Sequence, residues 1–348
     1  MSDRLKGAIV SGLLCVFGLF LAAGALEIVL RLMPRPAKPL NDRPKEYFAP
    51  ADSPNLQDYK IVLPKPAGVF RIAAVGDSFT FGPYIQFDDT YPKRMERWLN
   101  LNSPSQPVKV EVINYGVPRF STFHEVGSVK QALLDGADLV LLQITLNDPE
   151  QKLDWPTELI PDEEGNLPGA GAHGSIFNQL KLVRFVKQRI ENTRSQTLYR
   201  EYFFKLFRKN TPGYTQFVNA LTDIRRLGER FKVPVIAVVF PLFGVEVGPK
   251  YPFWPIHEQL AAELAERRIP SFDISTAFAG LPVERLQVLP GFDRHPNEIG
   301  HRIAAEEILR ELNRRALLPP GTHPQSAFPQ RIGIKRPDRT EAASETER

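Results

Sequence analysis

Five short apolar runs, Phe70 to Val75, Val108 to Asn114, Leu139 to Ile144, Pro234 to Phe240 and Pro270 to Ile274, are each separated from the next by a segment with helical spacing. A strand that is apolar on both sides has no face to offer water, so such runs belong inside a sheet covered above and below. Helical patterns at about Tyr91 to Leu101, His124 to Leu134, Tyr214 to Phe231, Pro255 to Arg268 and Asn297 to Leu312 supply the covers, and Asn297 is placed to cap the last of them. This alternation predicts an α/β fold built on a central parallel sheet of about five strands.

The rhythm breaks at both ends and once in the middle. Between Lys6 and Glu27, residues 7–26 carry no charge, and as a helix this run would span roughly 30 Å of hydrocarbon, enough for one membrane crossing. A signal peptide cut near Ala23-Gly24-Ala25 is the rival reading. The run exceeds the roughly 7 to 15 residues of a signal-peptide core, which favours an uncleaved anchor. Arg4 and Lys6 precede it and Arg31, Arg35 and Lys38 follow, so flanking charge leaves the orientation open. Glu27 reads as the end of the apolar span, paired with Arg31 one turn on. The expected division is therefore a stub and transmembrane anchor at 1–33, a Pro-rich tether at 34–67, an α/β domain at 68–316 and a polar, disordered tail at 317–348. An insertion at about 149–212 interrupts the domain after the third strand. It combines a basic helical pattern with the aromatics Tyr199, Phe203, Phe204 and Phe207, and reads either as a lid or substrate wall or as a helical hairpin packed on the core.

Composition narrows the chemistry. The 348 residues are 43% apolar with a formal net charge of +4, which permits a sizeable core and shows no basic stripe interleaved with aromatics, so nucleic acid is not an expected partner. The only cysteine, Cys15, lies in the apolar N-terminal run, which leaves no disulfide for the rest of the chain. No two histidines have metal-ligand spacing beside an acid, so a metal site is not expected, and the sequence calls for no cofactor.

Ser78 follows the first strand in Gly76-Asp77-Ser78-Phe79-Thr80, and the motif Asp293-Arg294-His295-Pro296-Asn297 lies near the far end of the domain. A serine hydroxyl is a weak nucleophile until a base takes its proton, and histidine titrates in the right range to do so. A carboxylate on the other ring nitrogen holds the tautomer and stabilises the imidazolium. His295 and Asp293 are candidates for those parts. The same chemistry needs donors where an alkoxide develops. The Ser78 amide, the Gly116 amide after Asn114-Tyr115, where no side chain blocks a ligand's approach, and the Asn147 carboxamide in Thr145-Leu146-Asn147-Asp148 all fall at predicted strand ends, along the edge where open α/β sheets bind ligands. Asp148 either touches substrate or holds its loop, and Trp155 is a candidate wall of the site. Asp77 reads as a brace or helix cap rather than a reactive group. His124, His257 and His301 read as structural.

These blocks, Gly76-Asp77-Ser78, Gly116, Asn147-Asp148 and Asp293 with His295, in that order, resemble those of the SGNH (GDSL) hydrolase superfamily. The resemblance covers about Phe70 to Leu312. It implies a flavodoxin-like three-layer α/β/α sandwich, with Ser78 as nucleophile, His295 as base, Asp293 as its orienter, and Ser78, Gly116 and Asn147 as oxyanion donors. It also implies metal-free cleavage of a carboxylic ester. Two positions depart from the pattern: Thr145 stands where the third block usually opens with glycine, and Asp293 precedes His295 by two residues rather than three. The latter resembles a variant found in some envelope-polysaccharide O-acetyl esterases and acetyltransferases of the superfamily. The expected activity is hydrolysis of an acyl or acetyl ester by a catalytic domain held outside the cytoplasmic membrane, on a small-molecule, glycan or lipid substrate. Transfer of the acyl group to an envelope glycan is the alternative, and a non-enzymatic envelope binding or assembly protein is the second.

Overall fold

The computed structural model describes residues 3–33, 58–101, 108–150, 180–290 and 293–322. Trp155, much of the expected tether, the first part of the insertion and most of the expected tail lie outside the described residues. The chain divides into two units, residues 1–40 with 154–202 and residues 41–153 with 203–348.

The first unit contains helix α1 (Asp3–Leu32) and most of helix α5 (Lys181–Leu206). Thirty residues of α1 extend about 45 Å, and most of its large apolar side chains are exposed. Among the described residues it is the one helix long and apolar enough to cross a membrane. Where the apolar run ends, Arg31 Nε donates to Glu27 Oε1 at 2.7 Å. The same carboxylate accepts the Lys181 and Leu182 N–H groups at 2.9 and 2.7 Å, so it satisfies two amides at the start of α5 that no helical carbonyl can reach.

The second unit holds a sheet of β1 (Val69–Gly76), β2 (Lys109–Gly116), β3 (Leu139–Ile144), β4 (Val235–Val239) and β5 (Ser271–Asp273). Each corresponds to one of the five apolar runs. All are parallel, in the order β2-β1-β3-β4-β5, the flavodoxin-like order. Every residue of β3 and β4 is buried, which is why their sequences show no alternation. Helix α4 (Thr122–Leu134) packs beside α6 (Pro212–Phe231), and α3 (Tyr91–Leu101) packs beside α8 (Glu298–Arg314). Helix α7 (Trp254–Glu266) joins α6 through Arg267 Nε, which donates to the Val218 carbonyl at 3.1 Å. The order of strands reverses between β1 and β3, and the crevice beyond their C-terminal ends is where such sheets bind ligands.

Two buried cations, Lys93 and Arg71, are paired. Lys93 Nζ meets both Asp58 oxygens at 3.1 Å, Glu96 at 2.8 Å and the Val112 carbonyl at 3.0 Å. Arg71 Nη2 meets Glu111 at 2.9 Å. These contacts tie the segment before β1, helix α3 and strand β2 together where an unpaired charge would be costly.

His301, in α8, is structural as expected. Its Nδ1 accepts the Tyr91 N–H at 3.0 Å, capping α3 from the neighbouring helix, and its ring stacks on Tyr91 at 6.0 Å. Burial first, then Arg94 and His295, holds its pKa down from 6.5 to about 3. Between those values the unfolded chain binds the extra proton, so acid favours unfolding. The contribution of neutral His301 is complete above pH 6.5 and is lost as pH falls toward 3. His301→Gln keeps an acceptor for Tyr91 and does not titrate. Chemical denaturation of wild type and variant across that window is expected to show the smaller acid-induced fall in midpoint for the variant.

Candidate active site

Strand β1 ends at Gly76 and runs directly into α2 (Ser78–Phe81), a single helical turn. Asp77 caps it, its Oδ1 accepting the Phe79 N–H at 2.8 Å, and Gly82 ends it at φ 77°, a conformation that costs glycine little. Ser78 is the first residue of this turn, and its amide therefore has no acceptor inside the helix. The turn is braced from β3. Gln143 Oε1 accepts the Asp77 N–H at 3.1 Å and the Thr80 hydroxyl at 2.8 Å, and Thr80 Oγ1 lies 2.9 Å from the Tyr91 hydroxyl. Sequence reasoning missed Gln143. Its signal was present: it is the one polar side chain in the buried run Leu139–Ile144, and a buried polar group needs partners.

The histidine comes from a hairpin of β6 (Gln287–Leu289) and β7 (Asp293–Pro296), paired antiparallel with an irregularity in register. Asp293 Oδ1 accepts the His295 backbone N–H at 3.0 Å and lies 2.6 Å from its Nδ1. One carboxylate oxygen thus closes an Asx turn and reaches the ring of the same residue, which is how a spacing of two brings acid and imidazole together. A carboxylate only accepts, so the proton of the neutral ring belongs on Nδ1 and Nε2 is left with its lone pair. That Nε2 lies 2.9 Å from Ser78 Oγ, across 217 residues of chain. The His295 and Asp293 side chains are 33% and 22% exposed, so a substrate can reach the contact. Phe79 lies edge-on to the imidazole at 5.7 Å and stacks on Phe243 at 6.0 Å, which gives the ring an apolar wall.

The expected donor at Gly116 requires correction in its physical reason. Its N–H already donates to Asn114 Oδ1 at 2.9 Å. A Cβ there would lie 2.3 Å from the Phe81 nitrogen, so glycine is needed for the close approach of α2 rather than to leave room for a ligand. Asn147 borders the same turn, its Nδ2 donating to Asp77 Oδ2 at 3.2 Å. That bond uses one of two amide hydrogens. Of the two roles expected for Asp148, the geometry carries the loop-holding one. It is 2% exposed, and Oδ2 accepts the Thr145 N–H at 2.6 Å, so it turns inward rather than toward a substrate.

A third carboxyl, Glu125 on α4, is buried near these two. Burial, followed by the charges of Asp148 and Asp77, pushes it well above the usual carboxylate range. Burial and Asp77 do the same to Asp148, and burial raises Asp77 against the hydrogen bonds it accepts. Three such groups cannot all ionise beside one another.

Other sequence candidates fall elsewhere. His257 Nδ1 lies 2.9 Å from Asp273 Oδ2 and 3.5 Å from Ser275 Oγ. Acid and hydroxyl both address one ring nitrogen, and His257 and Ser275 are buried, so this group pins α7 to the end of β5. His124 Nδ1 accepts the Ser121 N–H at 3.3 Å at the start of α4. Phe203 and Phe207 are core, packed on Phe253 and on Phe217 at 5.5 and 6.0 Å. Among the described residues no group of three or more His, Cys, Asp and Glu could hold a metal ion.

No protein-family model and no curated protein sequence matches the chain. Solved structures that it resembles include a two-domain esterase (CEX) active on acetylated mannans, at 14% identity and a TM-score of 0.41, covering 76% of this chain and 54% of that one. The chain thus spans about half the length of that protein. Axe2, an acetylxylan esterase from Geobacillus stearothermophilus, shares 16% identity at a TM-score of 0.40, covering 70% of this chain and 94% of its own. A catalytic mutant of the same esterase gives 15% identity and 0.41 over the same shares. What the site does rests on its side chains, not on likeness of chain path.

Gly116→Ala is expected to lower the unfolding free energy by about 1–3 kcal/mol or more, because the added methyl meets backbone that cannot rotate away. Chemical denaturation against wild type measures it.

Proposed function

We propose that this chain is a serine esterase of the SGNH type, anchored in a membrane through residues 7–26. The observation that carries the reading is the relay in which Asp293 holds Nδ1 of His295 and Nε2 faces Ser78 Oγ at 2.9 Å. His295 takes the hydroxyl proton as Ser78 Oγ attacks the ester carbonyl carbon. The carbonyl oxygen becomes an alkoxide, held by the Ser78 amide and the second N–H of Asn147, and Gly116 joins them by exchanging its Asn114 acceptor. The alcohol leaves with the proton carried by His295, and an acyl-Ser78 ester remains. Water, deprotonated by the same imidazole, then attacks that ester, and the freed acid departs as Ser78 recovers its proton. Asp293 orients the ring and stabilises the imidazolium without taking the proton.

The proposed substrate is an acyl or acetyl ester of an envelope glycan or lipid, met outside the cytoplasmic membrane. The tether at 34–67 would let the 68–316 domain, with its insertion at 149–212, reach it, and the tail at 317–348 follows in the chain. In purified full-length protein, Ser78→Ala is expected to abolish labelling by a fluorophosphonate and to lower kcat on an aryl acetate by about four to six orders of magnitude. Asp293→Asn is expected to lower kcat by about 10⁴, through loss of the productive tautomer. Wild-type turnover in Ser78→Ala would remove the assignment. Incubation with a glycan acceptor and product analysis separates hydrolysis, which releases free acid, from transfer, which yields acylated glycan.

A further inference from the structure

Three polar groups beside Ser78 stand in mutual hydrogen-bond contact. Thr145 Oγ1 lies 3.1 Å from Asp77 Oδ2, Asn147 Nδ2 lies 3.2 Å from the same oxygen, and Thr145 Oγ1 also contacts Asn147 Oδ1. Closing this ring takes three hydrogens, one for each side. The Asn147 amide supplies one, the Thr145 hydroxyl supplies one, and an ionised carboxylate supplies none. Exchanging the oxygen and nitrogen of the Asn147 carboxamide changes which side its N–H serves but leaves the count at two. Asp77 is the remaining carrier in the ring.

We propose that Asp77 is protonated on Oδ2 in the resting site, and that Asp77 and Thr145 are positioning residues which close a hydrogen-bonded ring around the Asn147 carboxamide and hold its second N–H for the alkoxide. The inference deepens the serine-esterase reading and rests on it for the role given to Asn147. Its surroundings favour the neutral acid. Asp77 and Thr145 are both fully buried. The titratable groups facing Asp77 are Asp148 on the turn after β3, Glu125 on α4, Tyr91 on α3 and His295 on β7. Two of these are carboxyls, so an ionised Asp77 would add a negative charge to an acidic, buried cluster, and its pKa is raised by burial. Thr145 stands where the resemblance calls for glycine, and glycine has no atom with which to close the ring. The departure from the pattern is here a hydroxyl with two partners.

Two experiments on the full-length chain test this. Infrared difference spectra near neutral pH compare wild type with the isosteric Asp77→Asn. The expected loss is a carbonyl stretch of a protonated carboxylic acid, with carboxylate bands unchanged. Loss of a carboxylate band instead overturns the proposal, and this readout does not depend on activity. Thr145→Val is expected to lower kcat on an aryl acetate by about 10- to 100-fold, with KM unchanged, as for weakening one oxyanion donor. Thr145→Ser is expected to restore kcat. A Val variant at wild-type kcat, or a Ser variant as impaired as Val, overturns the positioning role. Fluorophosphonate labelling of Ser78 in each protein keeps the two readings apart: no labelling of wild type sinks the esterase reading, whereas labelling with an unchanged Thr145→Val kcat sinks only the ring.

Discussion

No side chain can stand between the ends of β1 and β2 and the one-turn helix that carries Ser78. Gly76 and Gly116 are direct partners in the parallel register, and a Cβ on either would collide. At Gly76 it would lie 2.2 Å from Gln143 Oε1 and 2.3 Å from Thr80 Oγ1, and at Gly116 it would lie 2.3 Å from the Phe81 nitrogen. This close approach lets the chain turn sharply out of β1 and places the Ser78 hydroxyl beyond the sheet edge. A hydrogen bond to the imidazole tolerates only a few tenths of an ångström. The Ser78–His295 contact therefore depends on a turn held by the close approach of backbone at Gly116 and by the Asp77 and Gln143 side chains that brace it.

Around that turn the interior is polar. One chain of bonds links Tyr91, Thr80 and Gln143 to the Asp77 amide, and another links Asp77, Thr145, Asn147 and Asp148. Networks in a low dielectric rigidify a site when satisfied and are costly when not. Among the described residues Glu125 has no hydrogen-bond partner on either oxygen, which suits a neutral acid, since burying an unpaired carboxylate would cost far more. The groups that orient the candidate donors are thus held by neighbours from three parallel strands.

The sheet was readable because its signal is local. Leu139–Ile144 was bounded to the residue, and the other runs differ from their strands by one or two positions. Asn297 was legible as a cap because its type and place before an apolar period suffice; its Oδ1 accepts the Ile299 and Gly300 N–H groups at 3.0 and 3.1 Å. Other positions were legible in identity but not in reason. Gly116 was singled out for leaving a ligand room, yet backbone occupies that room. Asp148 was left between two roles because burial has no signature in one residue of a polar turn. The aromatics Phe203 and Phe207 carried no mark that separates core from binding platform, since both uses want the same ring.

Periodicity and charge-free length, which act over a few neighbouring residues, were enough to specify a covered parallel sheet, its helices and an apolar segment fit to cross a bilayer. Whether Asp293 could serve His295 at a spacing of two, which hydroxyl would meet that ring, and that Thr145 would bridge Asp77 and Asn147 were settled by the folded chain. The reason is physical: each is a distance between groups brought together by packing, across 217 residues in the case of Ser78 and His295, and no local preference of either segment encodes it.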